Sequence, residues 1–177
     1  MMGWRNKEQD PPPEVLAAAL ADGDRLVAAA HDDAGDQWVL ASVTRLMVVG
    51  PDAQVRLSRP WLDVDRGGWD PESDTLQVTW VDGSAPVSWQ LTGRPARPFT
   101  DAFRDRVQAS VVLVRQVDLG PGRTAQVAIR KDLATRELID QVVLGARARS
   151  DDQELARQVA VARATLRDQS GMSPLGA

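Results

Sequence analysis

Apolar and polar residues alternate with a period of two between Trp38 and Leu91, in short runs separated by turn residues, and this pattern predicts antiparallel strands one after another. Trp38 to Ser42 leads directly into Arg45 to Val49, and a Gly50-Pro51-Asp52 turn precedes Gln54 to Leu57. Trp61 to Trp69 is less regular, with Gly67-Gly68 marking a bulge or a close backbone approach. After the turn residues Asp70 to Asp74, Leu76 to Trp80 alternates strictly, breaks at Asp82-Gly83 and resumes as Val87 to Leu91. An Asp-Gly break between alternating runs is a strong hairpin signal. Upstream, Glu14 to Ala21 reads as a short helix with Pro13 in its first turn and Gly23 as its stop. Arg25 to Ala30 reads as a first strand, and His31 to Asp36 as a polar loop.

The period changes after the loop Thr92 to Pro98. Phe99, Phe103, Val107 and Ser110 fall on helical spacing, with Thr100 and Asp101 suited to the helix start. Three further strand-like runs follow, Val111 to Leu119, Ala125 to Arg130 and Glu137 to Leu144, the first two joined at Gly120-Pro121-Gly122. Ser150-Asp151-Asp152-Gln153 reads as a capping box opening a last helix with Leu155, Val159, Ala162 and Leu166 on one face. The expected fold class is α+β. Residues 1–13 are expected to be disordered, 14–110 to form one domain, 111–170 a small βββα unit, and 171–177 a disordered tail.

Composition narrows the chemistry. The 177 residues contain no cysteine, no tyrosine and a single histidine, His31, which removes thiolate catalysis, disulfides and histidine-cluster metal sites. Arginine outnumbers lysine 19 to 2, but the arginines are scattered and read as high-GC codon usage. Residues 1–97 hold 9 basic and 15 acidic side chains, and residues 98–177 hold 12 and 10. An acidic first half argues against nucleic-acid binding, which draws its affinity from phosphate neutralisation. No run reaches the roughly 20 apolar residues that span a bilayer, and the polar N-terminus lacks a signal-peptide core, so a cytoplasmic protein is expected.

Few residues offer site chemistry. His31 stands in a loop with Asp32, Asp33 and Asp36 and reads as a solvated turn residue rather than a base. Asp70, Glu72 and Asp74 alternate as calcium ligands do, but lack the following glycine and distal glutamate. Gly120-Pro121-Gly122-Arg123 lacks the Lys-Ser/Thr of a phosphate loop. No catalytic residue, metal or cofactor is assigned. Six tryptophans are more informative: the parity of Trp80 and Trp89 points both into the core, and among the others Trp38, Trp61 and Trp69 are candidate interface anchors if partly exposed, with core packing the default for each. Arg115, Arg130 and Arg136, with Gln126, outline a polar, basic sheet face. It could dock an acidic partner or the chain's own acidic N-terminal domain, but the simpler reading is the solvated side of the sheet.

A family resemblance covers residues 14–109. The run Trp38-Val39-Leu40-Ala41-Ser42-Val43-Thr44-Arg45-Leu46-Met47-Val48-Val49 resembles a bacterial pleckstrin-homology-like pattern, of the kind met in actinobacterial proteins. In that pattern a strand ends in Thr, turns through polar residues and an Arg, and resumes as Leu-apolar-apolar. Trp61, Val64 and Asp65 resemble the next strand, and Leu76 to Gly83 the late hairpin. Val43 and Thr44 depart from the acidic or basic residues more often found at the turn. The resemblance implies a partly open antiparallel barrel of two orthogonal sheets plugged by a helix, and binding rather than catalysis. Phosphoinositide binding is not carried over, because the loop that would supply basic residues holds Asp32, Asp33 and Asp36. The expectation is a non-enzymatic cytoplasmic module that binds another protein or itself. The alternative is a membrane-peripheral or small-ligand-binding protein using the barrel mouth.

Overall fold

The structure, a computed structural model, describes residues 10–21, 23–91 and 96–173. A short helix α1 (Pro13–Ala19) precedes a four-stranded antiparallel sheet in the order β1 (Leu26–Asp32), β2 (Gln37–Ser42), β3 (Arg45–Val49), β4 (Val55–Pro60). A 3-10 turn at Trp61–Asp63 leads into a three-stranded sheet, β5 (Val64–Asp70), β6 (Thr75–Trp80) and β7 (Val87–Gln90). Helix α2 (Ala96–Ser110) runs without a break into β8 (Val111–Asp118). With β9 (Thr124–Lys131) and β10 (Leu138–Leu144), β8 forms a third antiparallel sheet, in the order β10-β9-β8, and α3 (Gln153–Ser170) packs against it. The described residues thus form an α+β fold with three antiparallel sheets and no closed barrel among them.

β2 and β3 are apolar at almost every position because both of their faces are covered. Val39, Ala41, Leu46 and Val48 face the main core, where they meet Trp61, Val64, Leu76, Val78, Trp80 and Trp89, with Ala96, Phe99 and Phe103 of α2 closing it. The alternate residues, Trp38, Leu40, Met47 and Val49, pack under Val15 of α1 on the other side. A third core lies between α3 and its sheet and contains Val117, Val127, Ile129, Leu155, Ala162 and Leu166. The first two sheets meet where the buried Asp32 accepts from Gln90 N at 2.9 Å and from Gln37 Nε2 at 2.8 Å. Across the other gap, Arg59 of β4 donates to Asp82 at 2.9 Å, with its guanidinium 4.5 Å above the Trp80 ring.

Several expectations shift. Strand β1 continues through His31 and Asp32, so the polar loop is limited to Asp33–Asp36. α2 starts at Ala96, not near Thr100. The N-cap of α3 is Asp152, whose side chain accepts from Leu155 N at 3.0 Å, and not Ser150. Pro11 is buried and Pro13 opens α1, so order begins inside the stretch read as disordered. The tail also begins ordered: Gly171 adopts φ 74° as the C-cap of α3, and Ser173 O accepts from Arg167 Nε at 2.9 Å. The disorder expected of residues 1–9 and 174–177, and the loop over 92–95, lie outside the described residues.

Candidate functional site

Of the six residues singled out as possible binders, Trp61 and Arg130 come together, but the six do not form one site. Trp38 is buried under α1, and Trp61 is wholly buried, its indole N–H donating to Ser42 O at 3.1 Å and its ring edge-on to Phe103. Arg136 sits in the β9–β10 turn at φ 66° and is exposed. Arg115 lies exposed on β8.

The largest correction concerns Arg130. Instead of lining a solvated basic face, it is 3% exposed and clasps the third sheet to the corner between β4 and β5. Its guanidinium donates to Trp61 O at 2.8 Å, Val64 O at 3.1 Å and Ser110 Oγ at 2.7 Å. Gln141 Nε2 adds a bond to Leu62 O at 3.0 Å. Burial pushes the Arg130 pKa down, against the pull of Asp65 and Asp63. Three carbonyls of one short turn, exposed where the chain leaves β4 for β5, need donors from outside their own sheet. The sequence signal for this was indirect, an arginine in an otherwise apolar strand core, Val127-Ala128-Ile129-Arg130.

Trp69 is half-buried and lines a groove of about 590 Å³ with Asp74, Ala96, Arg97, Thr100, Asp101 and Arg104. The backbone of β5 approaches α2 closely here, since a Cβ built on Gly67 would run into the Phe103 ring. Two arginines face two aspartates in this groove, and Arg104 is already 3.3 Å from Asp101. Its balanced charge gives it no preference for an anion.

Chemistry at the remaining polar clusters is equally occupied. His31 is held between Asp33 at 2.9 Å and Asp36 at 3.3 Å, edge-on to Trp38. Asp24 accepts from the hydroxyls of Ser42 at 2.6 Å and Thr44 at 2.7 Å; burial pushes its carboxyl up, but these bonds hold it below the usual range. Among the described residues no group of three His, Cys, Asp or Glu side chains could hold a metal ion. No helix among them is long and apolar enough to cross a membrane.

The free edge of β8 offers a row of backbone groups with unmet bonding capacity. In the hairpin joining β8 to β9, Leu119 N donates to Arg123 O at 3.0 Å, which fixes the alternation of the ladder. Leu113, Arg115 and Val117 therefore exchange hydrogen bonds with β9, and the backbone groups of Val114, Gln116 and Asp118 point outward. The edge carries Val112 at 40% and Val114 at 53% exposure, without Pro, Gly or Lys among its eight residues. Three other edge strands, β4, β5 and β10, carry features that blunt native edges. β4 ends in Pro60 and carries Arg56 and Arg59, and β5 has a bulge between Val64 and Arg66 and two glycines. β10 holds the inward-facing Asp140, which binds Arg163 at 2.6 Å and Arg167 at 3.0 Å.

No family profile matches this chain, and no curated protein matches it. Among solved structures, a DUF1696 family protein with a pleckstrin-homology domain from Shewanella loihica PV-4 is similar over 52% of this chain and 89% of that one, at 13% identity and a TM-score of 0.43.

Proposed function

We propose that this chain is a non-enzymatic interaction module that takes up an extended polypeptide segment along β8. The observation that carries the reading is the outward row of backbone donors and acceptors at Val114, Gln116 and Asp118, flanked by exposed valines. An extended strand is the ligand that satisfies such a row, through main-chain bonds at alternate residues. The first domain, residues 14–110, reads as a pleckstrin-homology-like scaffold; what supports this is the run of four strands, three strands and a closing helix. In this reading it has a supporting task, holding the third sheet rigid through the Arg130 clasp.

The test is affinity capture on the tagged full-length chain and on tagged Gln116→Pro, which removes an outward N–H without touching the β9 ladder, with untagged copies of the chain supplied alongside. The expected result is a near-stoichiometric polypeptide, whether a second copy or another protein, retained by the parent chain and lost from the variant. Equal capture by both, or recovery of the tagged chain alone at every concentration, contradicts the reading.

A further inference from the structure

We infer that the segment taken up by β8 is β8 of a second copy of this chain, paired antiparallel about a two-fold axis through Val114. This deepens the preceding reading and rests on it. The outward residues are all even-numbered, so a symmetric antiparallel pair that joins outward groups to outward groups must sum to an even number. Three registers satisfy that condition and overlap most of the strand. An axis at Arg115 places the two guanidinia directly opposite each other, which destabilises the pair. Centring on Gln116 sets Val114 against the partner's Asp118 and leaves the valine end of the strand overhanging. With the axis at Val114, the two Val114 side chains meet, Val112 faces the partner's Gln116, and Arg115 faces the partner's Leu113.

This third register pairs Val111–Val117 of the two copies, leaving Asp118 beyond the contact, and withdraws from water the most exposed apolar residues on the edge, Val112 and Val114. It also satisfies the partner's groups with the same set of residues, the self-complementarity that an isologous contact requires. Asp118 keeps its side chain out of the contact, since Oδ1 already accepts from Gly120 N at 2.9 Å.

The absence of cysteine makes the register directly testable. In the Val114-centred pair, the two Val114 Cα atoms lie about 5.5 Å apart, within disulfide range, whereas the Gln116 Cα atoms lie roughly 14 Å apart. Under mild oxidation, Val114→Cys is expected to form a covalent dimer at least about tenfold faster than Gln116→Cys. Light scattering of the parent chain should give twice the 19.3 kDa chain mass, falling to 19.3 kDa for Val114→Lys, which keeps a single cooperative thermal transition. A parent chain that stays monomeric at high concentration, or a dimer that survives Val114→Lys, overturns the inference. A monomer that still captures another polypeptide, and loses it on Gln116→Pro, would overturn self-pairing alone and leave the binding edge standing.

Discussion

Replacing Arg130 leaves the carbonyls of Trp61 and Val64 and the hydroxyl of Ser110 without the buried donor they share. Each unsatisfied buried group costs about 1–3 kcal/mol, so Arg130→Met is expected to destabilise the chain by about 3–5 kcal/mol in urea unfolding. A loss below about 1 kcal/mol would mean that water replaces the guanidinium freely. Glycines offer a paired test. Gly67→Ala drives a Cβ into Phe103 and is expected to cost about 1–3 kcal/mol, whereas Gly68→Ala, with nothing within 4 Å of its Cβ, should change stability by less than about 0.5 kcal/mol. At this scale the sequence showed that Gly67-Gly68 was special without showing which of the two faced the helix. Arg130 was misread because alternation assigns a residue to a face of its sheet, and a second unit packed on that face is a non-local fact.

Helix α3 shows how an element can be legible in its body and not at its end. The apolar spacing of Leu155, Ala162 and Leu166 placed its buried face correctly. Its start moved to Asp152, because that carboxylate also binds Arg123 at 2.6 Å, a partner 29 residues upstream. The Arg123 guanidinium, with Leu155 N, holds the Asp152 carboxyl well below the usual carboxylate range. A carboxyl depressed in the folded state stabilises the fold above its unfolded pKa of about 4, and that contribution is lost as pH falls towards the folded value. Asp152→Asn should therefore lower Tm at pH 7, and the gap between parent and variant should narrow as pH drops below about 4. A gap independent of pH would assign the effect to capping geometry alone. β2 and β3 carried a different signal. Their unbroken apolar runs reflect a sheet covered on both faces, with α1 supplying the second cover. Leu155→Ala, removing a wholly buried side chain, is expected to cost about 2–5 kcal/mol.

For the whole molecule, continuity of α2 into β8 and the bonds from Arg130 and Gln141 join the third sheet to the first two. Thermal unfolding of the intact chain should therefore be one cooperative transition, and a chain ending at Ser110 should melt at lower temperature for want of those donors. Two resolved transitions in the intact chain would contradict this. The strands, their order along the chain and the α+β class could be read from local periodicity. That β8 would be an edge strand could not, because edge status depends on sheet order and on what packs beside each strand. Arg115 was chosen for its charge. The strand it lies on proved more informative than its side chain.

The most direct measurement is residue-resolved amide hydrogen exchange along β8 as a function of protein concentration. In dilute solution Leu113, Arg115 and Val117 should be protected through β9, while Val114, Gln116 and Asp118 exchange fast. At high concentration the Val114 and Gln116 amides should gain protection together as a second β8 pairs with the edge, while Asp118, which lies beyond the Val114-centred contact, stays fast. Protection of all six amides at every dilution would mean the edge is not free. Fast exchange of Val114 and Gln116 at the highest concentration would mean the edge does not pair with its own copy.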